Sequence, residues 1–236
     1  GNYVILRNKR NIIVMDLGPS PNKRFSRDYQ AGALSFEFIS DGEKVLTNPG
    51  YYSEKNIKLN ELCKSSALHN VLTIDDNSSC KFKKNSNLVF EIKEGLKITK
   101  SEIINKNKYW KISAAHDGYL KKYNLIYERE IEFFPEKNNL IGIDKIISKK
   151  TFPNLKFDVR FHLNPFSKIM KTQDNKSIFI ELEDEGWKFT CENYEINIDN
   201  GLYFGKKNTY TENQNIFISG ITNTQNNYIK WEFIKI

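Results

Sequence analysis

The chain has 236 residues, of which 39% are hydrophobic and 13% aromatic, enough to bury one full-sized core and too many for a disordered segment. No apolar run reaches the roughly 18 to 20 residues that a bilayer-crossing helix needs, so no membrane span is expected. The formal charge of +7 suits a polyanion, either nucleic acid or acidic polysaccharide, and equally suits lysines scattered to keep the surface soluble.

At the N-terminus, two short apolar runs are broken by Arg7-Asn8-Lys9-Arg10. This is not the single apolar stretch and small-residue cleavage site of a signal peptide. The expectation is a chain that is not exported by itself, or a piece of a longer protein. A Gly18-Pro19 turn follows, then LSFEFI, in which Leu34, Phe36 and Phe38 fall on one face and Ser35 and Glu37 on the other. That period of two marks a half-buried antiparallel strand. Asp41-Gly42 and Asn48-Pro49-Gly50 are turns, and residues 54–66 are the one helical candidate, with Ile57 and Leu62 covering a loop.

A strand is expected at 71–74, then at 87–92, 109–114, 126–134 and 140–147. The run KFDVRFHL repeats the alternation, with Phe157, Val159, Phe161 and Leu163 opposed to Asp158, Arg160 and His162. Further runs lie at 177–182, 187–191, 216–221 and 228–234. Turn signals fall at Glu94-Gly95, Asp117-Gly118, Glu185-Gly186, Asn200-Gly201 and Ser219-Gly220. Ten or more short strands with almost no helical period predict an all-β protein. We expect a large two-sheet antiparallel β-sandwich, super-sandwich-like, with few or no helices, over residues 1–236 as one domain.

Lysine doublets such as Lys83-Lys84, Lys121-Lys122, Lys149-Lys150 and Lys206-Lys207 come without an arginine-rich helix, RRM signature or zinc-finger spacing. Nucleic acid is therefore set aside as a partner. Cys63, Cys80 and Cys191 form no CxxC pair and read as free, mostly buried thiols, with a single disulfide left open as the alternative. The three histidines fall in three groups: His69-Asn70, His116-Asp117-Gly118-Tyr119, and Arg160 with His162. Each also has a plain reading: a structural hydrogen-bonder, polar flanks of a hairpin, and a basic pair on a sheet face. None has HxH or HxxxH spacing, and there is no G-x-S-x-G or phosphate-loop motif.

Taken in order, several segments resemble the C-terminal β-sheet domain of the heparinase II/III family of polysaccharide lyases. They are Asp16-Leu17-Gly18-Pro19, Ala33-Leu34-Ser35-Phe36-Glu37, Asn48-Pro49-Gly50, Ala67-Leu68-His69-Asn70 and Ala115-His116-Asp117-Gly118-Tyr119. The series continues with Tyr127-Glu128-Arg129, Gly142-Ile143-Asp144, Arg160-Phe161-His162-Leu163-Asn164-Pro165 and the strand holding Trp231. The resemblance implies a two-part enzyme: an N-terminal α/α toroid supplies a catalytic Tyr and His, and the β-sandwich lends further residues. It also implies an acidic polysaccharide cut by β-elimination. A base takes the C5 proton of a uronate, the C4 oxygen departs, and a cation, metal or hydrogen-bond donors stabilise the charged carboxylate.

Departures from the family pattern matter as much. Where the family has H-x-H-A-D, this chain reads Asp28-Tyr29-Gln30-Ala31-Gly32. The family's zinc positions fall on Gln30, Asn48 and His69, one imidazole and two neutral amides, so no cofactor is expected. A family Arg is Lys64, which loses the bidentate fork, and a family His is Tyr127. On this resemblance His69 and Asn70 are the catalytic candidates. Gln30, Asn48, Tyr51, Tyr52, Lys64, His116, Tyr119, Arg160 and His162 are the substrate contacts, with Tyr51 and Tyr52 as rings on which a sugar can stack. The implied partners are an acidic polysaccharide and the toroid. The implied location is the periplasm or cell envelope, with the cytoplasm as alternative. The isolated chain is expected to be inactive, and the competing reading is a non-catalytic glycan-binding or scaffold sandwich.

Overall fold

The structure is a computed structural model that describes every residue except 1, 53–55, 88, 149, 151–152, 207–208 and 224–226. Strands β1 (Tyr3–Arg7), β2 (Asn11–Asp16), β3 (Phe36–Ser40) and β4 (Glu43–Leu46) form an antiparallel meander. A second sheet runs β16 (Ile196–Tyr203), β17 (Thr211–Ile221), β12 (Lys156–His162), β5 (Leu72–Ile74). The largest sheet has eight strands: β13 (Lys168–Lys171), β14 (Ser177–Glu181), β15 (Gly186–Cys191), β18 (Tyr228–Lys235), β11 (Asn139–Ser148), β10 (Leu125–Phe134), β9 (Tyr109–His116) and β8 (Ile98–Lys106). A ribbon of β6 (Lys81–Lys84) and β7 (Phe90–Glu94) packs over Ala31 and Ala33 through Phe82.

The two four-stranded sheets act as one layer. Leu46 bridges Leu163, and Thr47 N donates to His162 O at 3.0 Å, which splices the end of β4 onto the end of β12. This composite layer faces the eight-stranded sheet, as the aromatic packing shows. Phe36 stacks on Trp231 at 5.8 Å, Phe161 meets Trp231 edge-on at 4.8 Å, and Phe38 meets Trp187 edge-on at 5.1 Å. Such pairs add about 0.5 to 1.5 kcal/mol each beyond their area burial. The all-β sandwich expected from the alternation is the fold the chain adopts.

Local rules explain most elements. Asp41 and Gly42 link β3 to β4 with φ of 44° and 92°, the doubly positive pair that a two-residue hairpin requires. Helix α1 (Ile57–Cys63) starts on Asn56, whose Oδ1 accepts from Leu59 N at 3.2 Å. A second α-helix, α2 (Leu120–Tyr123), is a single turn closed by Asn124 at φ 58°.

Several expectations need correction. Asn200-Gly201 and Ser219-Gly220 are not turns; they lie inside β16 and β17. A Cβ on Gly201 would stand 2.7 Å from Asn213 Oδ1, and one on Gly220 would stand 2.4 Å from the Phe157 ring. Both glycines serve close packing. The helix over 54–66 shortens to α1, part of the expected span lying outside the described residues, and Leu62 is exposed on it. The strand expected at 87–92 runs as β7, over Phe90–Glu94. The outer face of β12 is not open to solvent: Asp158 and His162 are buried there. The N-terminal apolar runs are β1 and β2, joined by the Asn8–Arg10 turn.

Candidate functional site

The same alternation that buries Met15, Phe36 and Phe38 sends Asp16 and Glu37 to the opposite face of the first meander. There they line a cleft of about 580 Å³ with the loop residues Asp28, Tyr29, Gln30 and Gly32, and with Asn48 and His69. Gln30, Asn48 and His69, which lie far apart in sequence, therefore share one concavity.

His69 follows a single-turn 3-10 helix (Ser66–Leu68) and is almost wholly buried. Its Nε2 lies 3.3 Å from Cys63 O. A carbonyl only accepts, so Nε2 carries the hydrogen and Nδ1 keeps its lone pair. A Cβ on Gly32 would sit 2.9 Å from that Nδ1; the missing side chain leaves the nitrogen open. Burial pushes the ring down to about 4, so it is neutral near pH 7.

The flanking amides are half committed. Gln30 Nε2 donates to Gly50 O at 2.8 Å, leaving Oε1 as an acceptor. Asn48 Oδ1 accepts from Asn70 N at 3.2 Å, leaving its NH2 group as a donor. Glu37 accepts from Asn48 N at 3.0 Å and pairs with Lys44 at 3.0 Å. Asp16 Oδ1 accepts from Gly18 N at 2.8 Å, and burial lifts its carboxyl to about 6. Asp28 accepts from the Tyr51 phenol at 2.9 Å. No lysine or arginine lines the cleft among the described residues.

The zinc that the resemblance implies meets a poor set of donors in this geometry. Gln30, Asn48 and His69 offer one imidazole nitrogen and two amide oxygens, and one of those oxygens already accepts a hydrogen bond. Zinc is held by thiolate, imidazole and carboxylate, so this donor set does not fit it.

The remaining sequence candidates lie elsewhere. Asn70 is fully buried: Nδ2 donates to Phe36 O at 2.8 Å and Thr47 O at 3.1 Å, and Oδ1 accepts from His162 N at 2.5 Å. No amide hydrogen is left for a substrate. Lys64 is buried with Nζ on Arg27 O at 2.5 Å and Tyr29 O at 2.9 Å, so it holds the loop that carries Gln30. Tyr52 packs on Phe204 at 5.5 Å, while Tyr51 stands beside Asp28.

His116 accepts from Gly118 N at 3.1 Å and packs on Tyr127 at 5.3 Å, and burial pushes it down to about 4. Tyr119 is buried and donates to Leu72 O at 2.9 Å. Arg160 spans Asn215 at 2.8 Å and Asp199 at 3.3 Å over the Phe217 ring. His162 donates from Nε2 to Ala67 O at 3.0 Å, and burial pushes it down to about 3.

Sequence reasoning missed the charged centre of the sandwich. Arg129 and Asp144 are register partners on β10 and β11, both fully buried, joined at 2.7 and 3.0 Å. Asp144 also accepts from Tyr127 at 2.5 Å and from Trp231 at 2.7 Å, and Arg129 reaches Leu34 O at 3.2 Å and Asn70 O. A signal was present: Arg129 falls on the apolar phase of β10, in step with Leu125, Tyr127, Ile131 and Phe133.

No curated protein matches the sequence. Among solved structures, the chain resembles the heparan sulfate lyase HepC of Pedobacter heparinus at 15% identity and TM-score 0.78, covering 99% of this chain and 35% of that one. It likewise resembles a heparinase III at 16% identity and TM-score 0.73, again covering 99% of this chain and 35% of that one. The chain thus spans about a third of the length of these structures, and at such identities the likeness concerns the fold. The family model described as heparinase II/III-like, C-terminal matches residues 1–232. With nearly the whole chain matched, this protein belongs to the heparinase II/III-like C-terminal family.

Proposed function

We propose that the chain is the β-sandwich part of a larger protein that binds or cleaves a uronic-acid polysaccharide, and that the His69 cleft is the wall on which a sugar sits. The observation that carries this reading is the convergence of Gln30, Asn48 and His69 on one cleft. A neutral imidazole, an amide NH2 and an amide oxygen suit sugar hydroxyls, which both donate and accept. Cleavage by β-elimination would need more than this wall holds. It needs a competent base and a cation or strong donors at the uronate carboxylate, and a ring pushed down to about 4 is a weak base. Those groups belong on an N-terminal α/α toroid packed beside the sandwich. On its own the chain binds glycan and does no chemistry, needs no zinc, and works in the periplasm or cell envelope.

The test compares the isolated chain with its full-length parent on a panel of uronic-acid polysaccharides, following unsaturated-uronate absorbance. Absorbance is expected only from the full-length protein, with glycan binding by both. Product from the isolated chain, or stoichiometric zinc after purification, would overturn the reading. Binding by both with no product from either supports the scaffold alternative, a glycan-holding sandwich.

A further inference from the structure

The charges of the cleft wall are opposite to those of the molecule. The chain carries 36 Lys and Arg against 29 Asp and Glu, yet Asp16, Asp28 and Glu37 line the cleft and no cation does among the described residues. Lys44 answers Glu37 from outside the cleft. Asp16 and Asp28 have no ion-pair partner among the described residues. Burial first, and then the charges of Asp16 and Glu37, raise the Tyr3 phenol at the cleft edge.

A second observation is independent of the acids. His69 is more than nine-tenths buried, its Nε2 is committed to Cys63 O, and its bare Nδ1 faces the cleft across Gly32. Gln30 Oε1 is likewise an acceptor without a protein donor among the described residues. A partly buried carboxylate at Asp16, an exposed one at Asp28 that already accepts from Tyr51, an imidazole lone pair and an amide oxygen suit a donor-rich, positively charged guest. A partly buried carboxylate without a counterion is costly until such a guest arrives.

We propose that the sugar seated in this cleft bears a free, protonated amine, its ammonium facing Asp16 and Asp28 and its donors reaching Gln30 Oε1 and His69 Nδ1. This rests on the cleft being a sugar site and names the class of sugar: an amino sugar, neither sulfated nor carboxylated at the face it presents. Three N–H donors and no lone pair make an ammonium complementary to a wall of acceptors. In a polymer that alternates uronate with hexosamine, this wall takes the hexosamine, and the uronate carboxylate points away from it.

The test is calorimetric titration of the chain with three trimers: glucosamine with free amines, its fully N-acetylated counterpart, and galacturonate. The pH is set above about 6, where Asp16 is ionised, and low enough that the amine stays protonated. The free-amine trimer is expected to bind about tenfold or more tighter than the acetylated one. Asp16→Asn and Asp28→Asn, each near-isosteric and checked for folding by near-UV circular dichroism, should each lower that ratio about threefold or more. The nitrogen resonance of His69 Nδ1 should move with the free-amine trimer only. Equal or tighter binding of the acetylated or galacturonate trimer overturns the amine proposal and leaves the glycan cleft standing. Failure of all three trimers removes both. Retention of a divalent cation through dialysis, with loss of trimer binding, replaces the ammonium by a metal ion.

Discussion

At the scale of single residues, His69 reaches the cleft as a neutral acceptor because one ring nitrogen is tied down and the other is left bare. Gly32 sets the second condition. Gly32→Ala would put a methyl group 2.9 Å from Nδ1, so the ring must shift or lose access. The expected cost is about 1 to 3 kcal/mol of stability from overpacking, with glycan binding falling about tenfold or more. Thermal unfolding and calorimetry read the two effects separately; undiminished binding would show that Nδ1 touches no ligand. The sequence disclosed His69, Gln30 and Asn48 as related positions through the family pattern alone. Local pattern could not show that Asn70, next in line to His69, turns inward, because two adjacent polar residues look alike until their hydrogen bonds are traced.

At the scale of elements, Asn70 joins the two halves of the composite layer. Its side chain ties the carbonyls of Phe36 and Thr47 to the amide of His162, just where β4 is spliced to β12. Asn70→Ala strands three buried backbone groups, and each costs about 1 to 3 kcal/mol when left unpaired. A total loss of about 3 to 5 kcal/mol is expected by urea unfolding, and a loss below about 1 kcal/mol would show that water takes over the role. Strands β3 and β12 were legible because their period of two is uninterrupted. The turns at Asn200-Gly201 and Ser219-Gly220 were misread because a Gly that admits a neighbouring side chain looks, in sequence, like a Gly that bends the chain. The burial of His162 on the outer face of β12 was invisible for another reason: the 64–70 connection that meets it at Ala67 O is mostly polar, and polarity reads as exposure.

At the scale of the whole molecule, three buried neutral histidines make stability depend on pH. Burial lowers His69 and His116 to about 4 and His162 to about 3, against about 6.5 in an unfolded chain. The unfolded state therefore takes up protons first as the pH falls. Stability is complete above about pH 6.5 and drains away down to about pH 4, and to about pH 3 for His162. Asp16 works in the opposite sense, since its folded carboxyl protonates at about 6, and it offsets roughly one histidine. The net loss between neutral pH and pH 4 is on the order of 5 kcal/mol. The urea midpoint should fall steeply over that range. A flat profile would mean that the rings can be protonated in the native state.

The position of β18 has a consequence for how this architecture assembles. It lies between β15 and β11, so the β13–β15 ribbon and the β8–β11 ribbon meet only through a strand that follows both in sequence. Until that strand docks, each ribbon ends in a raw edge of unpaired backbone. Closure of such long-range pairings is slow, and open edges invite pairing with other chains. Kinetic partitioning between closure and aggregation is therefore decided by the arrival of Trp231 and Phe233.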